Sequence, residues 1–360
     1  MNIYAHFPFC RAKCTYCALL SRAGTSADAR ADHVARLARE AAERGLSPAE
    51  RGLSPVETLY FGGGSPALCD LTPLAALAEG RSPQGEFTVE LHPCDVTDAK
   101  LAELVRLGVN RISLGVQSFD DAALAAMNRG HTAAAAVEAF RRVKGTVPNA
   151  GLDLIAGWPG TSDASWRATL DQALALDPVH VSCYTLIREP RTRLDLLVRQ
   201  GRLALPDDDA ALVQADRARE AFAAAGLVRY EVSNYARPGF ACRHNCAVWR
   251  GEDYVGLGEG AHGREGVRRT VGTATGYTVT TVDPTADALE RALLGLRTAA
   301  GVDLGAIARR WPGLADRLPA WRETLAALVA PGILDQPRPG VFTPTPRGFE
   351  VCDAVMAELL

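Results

Sequence analysis

The sequence lacks long apolar runs, and this absence excludes the simplest membrane architecture. No uninterrupted apolar stretch reaches the roughly 20 residues that a helix needs to cross a bilayer. A basic segment followed by an apolar one is also missing at the start, where Met1 leads almost directly into a strand-like run. We therefore expect a soluble protein without a membrane span, located in the cytoplasm.

An excess of charge of either sign is missing as well. The 360 residues contain 39 Lys and Arg against 42 Asp and Glu, which gives a formal net charge of −3. Proteins that bind nucleic acid concentrate basic charge, because contacts with the phosphate backbone dominate their affinity. The composition therefore predicts no nucleic-acid partner, and it leaves the oligomeric state open.

The nine cysteines do not have the pattern of a disulfide framework. Their number is odd and the chain is long, whereas disulfide-rich folds are short and pair their cysteines evenly. This use of cysteine is typical of a reducing compartment. The length indicates two or more domains, one of them large enough for a barrel.

Three of the cysteines lie close together near the start of the chain. Cys10, Cys14 and Cys17 have the spacing C-x3-C-x2-C and follow a short apolar run. A cubane iron–sulfur cluster takes thiolate ligands, so three cysteines leave one of its four irons open to a small molecule. Tetrahedral zinc also binds clustered cysteines and would need a fourth ligand. That ligand would come from elsewhere in the chain, for example from Cys94, Cys183, Cys242 or His92, and plain buried thiols are a further alternative.

Strand and helix patterns alternate from the start of the chain to residue 185. Short apolar runs bounded by turn residues predict strands, and the segments between them have helical periodicity. Six strands are predicted, at 3–7, 56–61, 87–91, 111–116, 151–156 and 179–184. This alternation indicates a parallel α/β fold with barrel-like closure, although six units fall short of the usual eight.

Polar and glycine residues stand where several of these strands end. The second strand runs into Gly62-Gly63-Gly64-Ser65, and glycine lets the backbone approach a ligand closely; a plain tight turn is the alternative. Glu90 and Gln117 stand at strand ends that face the mouth of a barrel. Asp153 interrupts an apolar run, so it either binds a ligand or pairs with Arg111 or Arg129.

The chain changes in character after the sixth strand. Residues 186–284 combine a connection, a helix at 207–225, a short strand at 228–232 and a region rich in Gly, Cys and aromatic residues. Residues 285–360 contain helices at 287–298, 303–310 and 317–329, followed by a hairpin. We expect this last part to be a mainly helical, winged-helix-like domain that covers the substrate, because it has no basic run for DNA.

Two features of the first part have simpler interpretations. A seven-residue tandem repeat, 43–49 and 50–56, contains glycine and proline and is predicted to be a surface loop. His33 lies on the predicted helix at 29–42 and is expected at the surface.

The cysteine loop after the first strand resembles the radical S-adenosylmethionine (SAM) superfamily. The resemblance implies an open partial barrel of six β/α units and a [4Fe–4S] cluster on Cys10, Cys14 and Cys17. SAM would chelate the open iron and be cleaved to a 5′-deoxyadenosyl radical. The loop with Gly63, Gly64 and Ser65 would hold the amino group of SAM; Ser65 stands where the family usually has Thr. The other positions that match SAM contacts are Tyr4, Glu90, Gln117, Arg129 and Asp153.

Later motifs narrow the resemblance. These are 115–120 (GVQSFD), 157–160 (GWPG), 230–239 (YEVSNYARPG) and 242–245 (CRHN) with Trp249. They resemble the oxygen-independent coproporphyrinogen III oxidases and the related HemW-type haem chaperones over nearly the whole chain. The oxidases carry another cysteine where this chain has Leu19, and the chaperones carry His-Asn-x-x-Tyr-Trp, which here reads HNCAVW at 244–249. Both features favour the chaperones, although Val248 replaces Tyr and Ala18 replaces a usual Asp.

The chaperone resemblance implies a protein that binds a [4Fe–4S] cluster, SAM and haem and delivers haem to an apo-haemoprotein. His244 would ligate the haem iron, with Cys246 or Cys242 as rivals. The alternative for His244 is a histidine hydrogen-bonded inside its own loop. Oxidation of coproporphyrinogen III and radical methyl transfer are the alternative functions, so the resemblance leaves open whether the chain is an enzyme.

Overall fold

The computed structural model describes residues 1–46 and 55–360. Most of the predicted repeat loop, residues 47–54, lies outside the described residues. The strands are β1 (Asn2–Phe7), β2 (Phe9–Cys10), β3 (Arg22–Ala23), β4 (Val56–Gly63), β5 (Arg81–Leu91), β6 (Arg111–Gln117), β7 (Ala150–Ala156), β8 (His180–Thr185), β9 (Val228–Arg229), β10 (Asn234–Ala236), β11 (Tyr254–Leu257), β12 (His262–Glu265), β13 (Arg268–Gly272), β14 (Tyr277–Thr281), β15 (Val302–Asp303), β16 (Leu334–Arg338) and β17 (Val341–Pro344).

Helices follow most of the parallel strands. They are α1 (Ala27–Glu43), α2 (Ala75–Glu79), α3 (Asp98–Arg106), α4 (Asp121–Ala126), α5 (Ala133–Thr146), α6 (Asp163–Ala175), α7 (Arg193–Arg199), α8 (Asp208–Ala224), α9 (Arg243–Trp249), α10 (Pro284–Leu293), α11 (Leu304–Arg310), α12 (Leu318–Ala327), α13 (Pro346–Glu350) and α14 (Cys352–Leu359). Helix α1 and helices α3 to α8 each begin after a Ser, Thr or Asp whose side chain accepts a backbone N–H, the usual helix start. Among the described residues, no helix is long and apolar enough to cross a membrane.

A single large sheet organises the first part of the chain. Its order is β14-β13-β12-β11-β1-β4-β5-β6-β7-β8-β10-β9, and the run from β11 to β8 is parallel. All six predicted strands are present as β1, β4, β5, β6, β7 and β8, in sequential order. The predicted parallel α/β fold of six β/α units is therefore confirmed.

Side chains alternate between two environments along these strands. On β1, Ile3, Ala5 and Phe7 are fully buried in the core that the sheet shares with its helices. The residues between them, Tyr4 and His6, lie on the opposite face and hydrogen-bond to each other. Because strand side chains have a period of two, the concave face of the sheet becomes polar while its convex face stays apolar. This polar interior is what a buried ligand site requires.

Several elements differ from the predictions. The antiparallel strands β12 to β14, which extend the sheet beyond β11, were not predicted, and neither was α7 within the expected connection. The strand expected at 228–232 ends at Arg229. His33 is not at the surface: it is 2 % exposed, and its Nε2 hydrogen-bonds to the His6 carbonyl at 2.9 Å, because that face of α1 packs on β1.

The C-terminal part has its own hydrophobic cluster, built from α10 to α12, α14 and the small sheet β15-β17-β16. Strands β16 and β17 form the expected hairpin, and the part is mainly helical. The domain boundaries at 185 and 285 stay predictions.

Candidate functional site

A cavity of about 630 Å³ opens at the C-terminal ends of the parallel strands. This volume lies within the usual range of ligand pockets, and the C-terminal mouth is where barrel folds place their sites. Nine of the twelve predicted site residues line it. They are Cys10, Cys14, Cys17, Gly63, Gly64, Glu90, Gln117, Arg129 and Asp153.

The three cysteines share one wall of the cavity. Cys10 ends β2, and Cys14 and Cys17 follow in a tight loop that the Cys17 N–H closes on the Cys14 carbonyl at 3.3 Å. Burial, and after it the charge of Cys17 and Cys14, raises the pKa of the Cys10 thiol to about 11. Thiolates this close repel one another unless a cation binds them, so the group suits a metal centre.

The end of β4 and the loop after it need glycines because neighbouring groups are crowded there. Gly63 has φ +108°, and a Cβ there would lie 2.4 Å from the His6 ring. A Cβ on Gly64 would lie 2.3 Å from the carbonyl oxygen of Phe9. The glycines therefore fit the loop against the end of β1 and leave backbone groups facing the cavity.

Two enclosed carboxyl groups also line the cavity. Glu90 accepts hydrogen bonds from the Tyr60 hydroxyl at 2.7 Å and the Gly63 N–H at 3.0 Å. Asp153 accepts one from the Ser113 hydroxyl at 2.9 Å. Burial raises the pKa of Glu90, and the nearby Asp153 raises it further. Neither carboxyl has an ion-pair partner among the described residues, so a cationic ligand group would lower the cost of burying them.

Asp153 thus does not form the ion pair with Arg111 or Arg129 that was the alternative to ligand binding. It pairs with hydroxyl groups instead, and burial raises its pKa.

Gln117 and Arg129 reach the same cavity by different means. Gln117 ends β6 in the left-handed region, with φ +74°, and the pairing of β6 with β7 shifts register between Gly115 and Gln117. Such bulges and strained residues are frequent at functional sites, where they redirect a side chain. Arg129 donates to Cys14 Sγ at 3.3 Å and to the Gly115 carbonyl, and its buried Nε has no partner among the residues that the structure describes.

Three predicted residues do not line the cavity. The Tyr4 hydroxyl hydrogen-bonds to His6 Nδ1 at 3.0 Å inside the barrel, and the Ser65 hydroxyl donates to Asp95. His244 is 5 % exposed, and its Nδ1 hydrogen-bonds to the Thr58 hydroxyl at 2.9 Å near the N-terminal end of β4. The structure thus places His244 deep in the barrel, apart from the cavity.

The structure adds residues that the sequence did not single out. The cysteine loop is anchored by Thr15, whose N–H and hydroxyl donate to the carbonyls of Met127 and Ala126 at 3.1 Å each. Asn128, with φ +58°, donates from its side chain to the Lys13 carbonyl at 2.8 Å. A polar residue after a predicted helix was the only signal available for Asn128.

Part of the cavity lining consists of apolar side chains from two parts of the chain, and we call these residues the apolar rim. Leu19 follows the cysteine loop, Tyr184 lies on β8, and Leu186 and Ile187 come directly after β8. Phe349 comes from the C-terminal part, more than 160 residues later in the sequence. No short-range pattern connects residues so far apart, so this rim could not be predicted.

Comparisons with known proteins agree with this geometry. The profile of the radical SAM superfamily matches residues 4–173. The chain is 34% identical to the haem chaperone HemW of Synechocystis sp., over 83% of this chain and 78% of that protein. It is also 34% identical to the haem chaperone HemW of Mycobacterium tuberculosis, over 100% of this chain and 94% of that protein.

Among solved structures, coproporphyrinogen III oxidase (HemN) from Escherichia coli, a radical SAM enzyme, superposes with a TM-score of 0.82. The match covers 99% of this chain and 89% of that chain at 19% identity. At this identity the likeness shows a shared fold.

Proposed function

The chain belongs to the radical SAM superfamily and, within it, to the family of the haem chaperone HemW, and we propose from this that it binds a [4Fe–4S] cluster, SAM and haem and delivers haem to apo-haemoproteins. The observation that carries the proposal is the joint placement of three thiols, two enclosed carboxyl groups and Arg129 around one cavity. Thiols held in this way require a reducing compartment, so we also propose a cytoplasmic location.

We assign the cluster to Cys10, Cys14 and Cys17, whose thiols share one wall. When bound, the cluster supplies one electron through the iron that the cysteines leave open. The Arg129 guanidinium, 3.3 Å from Cys14 Sγ, offsets negative charge on the thiolates.

We assign SAM to the space between this wall and the carboxyl groups. SAM carries an ammonium, a sulfonium and a carboxylate, so Glu90 and Asp153 complement its cationic groups and Arg129 complements its carboxylate. The Gln117 amide offers both a donor and an acceptor to the nucleoside.

Haem fits the apolar rim of the cavity. Its flat ring needs apolar contact area, and Leu19 and Ile187 are 55% and 68% exposed there, unusual for large apolar side chains. The buried His244 is already hydrogen-bonded to Thr58, so the proposal gives it a structural role and not that of a haem ligand.

The test uses the full chain reconstituted anaerobically with iron and sulfide. We expect four irons per chain, SAM binding, stoichiometric haem binding and transfer of haem to apomyoglobin as a model acceptor. Cys17→Ser should lose the cluster. A colourless protein, or one holding a lone zinc on the three cysteines, contradicts the cluster assignment.

A pair of apolar-to-charged variants tests the haem position. Ile187→Asp should weaken haem binding by about 10- to 100-fold, the value of burying one such side chain. Leu196→Asp is the matched control, because Leu196 is 52% exposed but does not line the cavity. Equal effects of both variants would remove haem from this rim.

Product analysis separates the alternative functions. Conversion of coproporphyrinogen III to protoporphyrinogen IX would show an oxidase, and formation of S-adenosylhomocysteine would show a methyltransferase. Either result contradicts the chaperone.

A further inference from the structure

A second group of metal-binding side chains lies beside the cavity. One ring nitrogen of His92, one of His131 and the Cys94 Sγ all lie within 4.8 Å of one another. His92 and Cys94 follow β5, and His131 precedes α5, so two separate connections bring them together. We propose that these three residues bind a divalent cation of the zinc class, at a site separate from the cluster cysteines. This proposal does not depend on the haem function.

His131 is prepared for this role. It is 7 % exposed, and its Nε2 hydrogen-bonds to the Val116 carbonyl at 3.2 Å. A carbonyl accepts, so Nε2 carries the proton and Nδ1 keeps its lone pair. Nδ1 is buried and has no hydrogen-bond partner within the described part of the chain. Metal-ligating histidines are commonly oriented in this way, by a hydrogen bond from the other ring nitrogen to a backbone carbonyl.

Cys94 and His92 complete the group. Cys94 Sγ donates to the Gly130 carbonyl at 3.2 Å, next to His131 in the chain. His92 Nδ1 accepts from the Cys94 N–H at 3.1 Å, so ligation through this nitrogen replaces one hydrogen bond with a metal bond. Tetrahedral zinc holds sulfur and nitrogen ligands roughly 3.3–3.8 Å apart, so the side chains must close by about 1 Å.

The charges around the site decide which ligands are needed. Arg129 acts electrostatically on both imidazoles, so its charge opposes a cation at this site. Imidazole ligates a metal in its neutral form, so Cys94, as a thiolate, would supply the negative charge that the cation needs. Three protein ligands leave a fourth position for water or a small ligand, as in zinc sites that keep one position open, and His92 also lines the cavity.

Zinc K-edge absorption on the cluster-loaded full chain tests the proposal, because iron does not contribute at that edge. After dialysis against zinc, we expect one zinc per chain in addition to the cluster iron. Its shell should contain one sulfur at about 2.3 Å and nitrogen or oxygen at about 2.0 Å. No retained zinc, or a shell of three sulfurs, overturns the proposal; three sulfurs would place zinc on the cluster cysteines.

Loss of a group that hydrogen-bonds to a metal ligand typically lowers metal affinity by roughly 10- to 100-fold. Cys94→Ala removes a direct ligand, so it should lower zinc affinity by more than this and leave the iron content unchanged. Cys94 is partly exposed, so this change is tolerated by the fold. Cys246→Ala, which removes another partly exposed thiol outside the group, is the control and should retain zinc. Equal zinc affinity in wild type and Cys94→Ala overturns the proposal.

Discussion

His244 shows how one residue can match a family motif and still lie away from the ligand. Its ring packs between Tyr60 and Tyr254, with centroid distances of 5.1 and 6.4 Å, and its Nδ1 hydrogen-bonds to Thr58. Burial lowers its pKa to about 4, with smaller and opposite effects of Glu86 and Arg111. A histidine in this environment stays neutral in the folded protein at physiological pH.

This neutrality predicts a pH-dependent contribution of His244 to stability. As pH falls from about 6.5 to about 4, the unfolded chain takes up a proton at this position that the folded chain does not, so folded-state stability is lost. The stability advantage of wild type over His244→Asn should therefore be largest above pH 6.5 and shrink by up to about 3 kcal/mol at pH 4.

Urea unfolding of wild type and His244→Asn between about pH 7 and about pH 4.5 measures this difference. Other titrating groups cancel in the comparison, and His262→Asn controls for loss of an exposed histidine. A difference that does not change with pH would contradict the buried neutral imidazole.

Two of the residues that sequence reasoning placed in the cavity share one property. Glu90 and Gln117 end parallel strands, and the C-terminal ends of such strands meet at one mouth, so their convergence follows from topology. Tyr4 and His244 were assigned from family positions alone. Their orientation depends on ring packing with Tyr60, which is distant from both in the sequence.

At the scale of elements, the cysteine loop depends on the end of α4 for its shape. Thr15 and Asn128 tie the two segments together through hydrogen bonds of 2.8 to 3.1 Å. Asn128 also occupies the left-handed region, with φ +58°, which asparagine tolerates better than most residues. A loop fixed at a neighbouring helix holds its thiols in place before a metal arrives.

Asn128→Gly tests this anchor without adding backbone strain, because glycine accepts the same φ. Loss of the hydrogen bond to Lys13 should weaken the loop by about 1 kcal/mol, which corresponds to a roughly fivefold faster loss of the cluster in air. The decay of the visible absorption of the reconstituted protein gives this rate.

Asn149→Gly is the matched control, since Asn149 precedes β7 at the other end of the barrel. An unchanged decay rate in Asn128→Gly, with the same iron content, would show that the cysteine loop holds its shape without α4.

Elements of the barrel could be predicted because strand and helix alternate with strong periodicity through residue 185. The strands and the helix that lie outside this alternation were harder to predict. Strands β12 to β14 are short and partly exposed, so their sequences carry little apolar alternation. Helix α7 is only seven residues long, and the Pro and charged residues around it interrupt the helical pattern of the sequence.

At the scale of the whole molecule, the C-terminal part lines the cavity beside the edge of the sheet. Arg229 on β9 pairs with Glu350 on α13 at 3.0 Å, and its guanidinium lies 4.3 Å from the Phe349 ring. Arg297 pairs with Asp353 on α14. Arg229 is largely shielded from solvent, so its contacts with α13 are screened less than surface pairs.

Arg229→Met removes the charge and keeps an apolar stem, so it tests whether these contacts hold α13 and α14 in place. Loss of the ion pair and of the ring contact should cost about 1–2 kcal/mol of local stability, which corresponds to a roughly 5- to 30-fold increase in the open population. Hydrogen exchange of residues 346–359 should accelerate by this factor, while the iron content of the reconstituted protein stays the same.

Arg237→Met provides the comparison, because Arg237 and its partner Asp177 are more exposed and lie outside the cavity. Haem bound at the apolar rim would dissociate faster from Arg229→Met than from Arg237→Met, because Phe349 lies on α13 and also belongs to the apolar rim. If exchange in 346–359 is equal in the two variants, the C-terminal part is held by its other contacts, and access to the cavity is not controlled by Arg229.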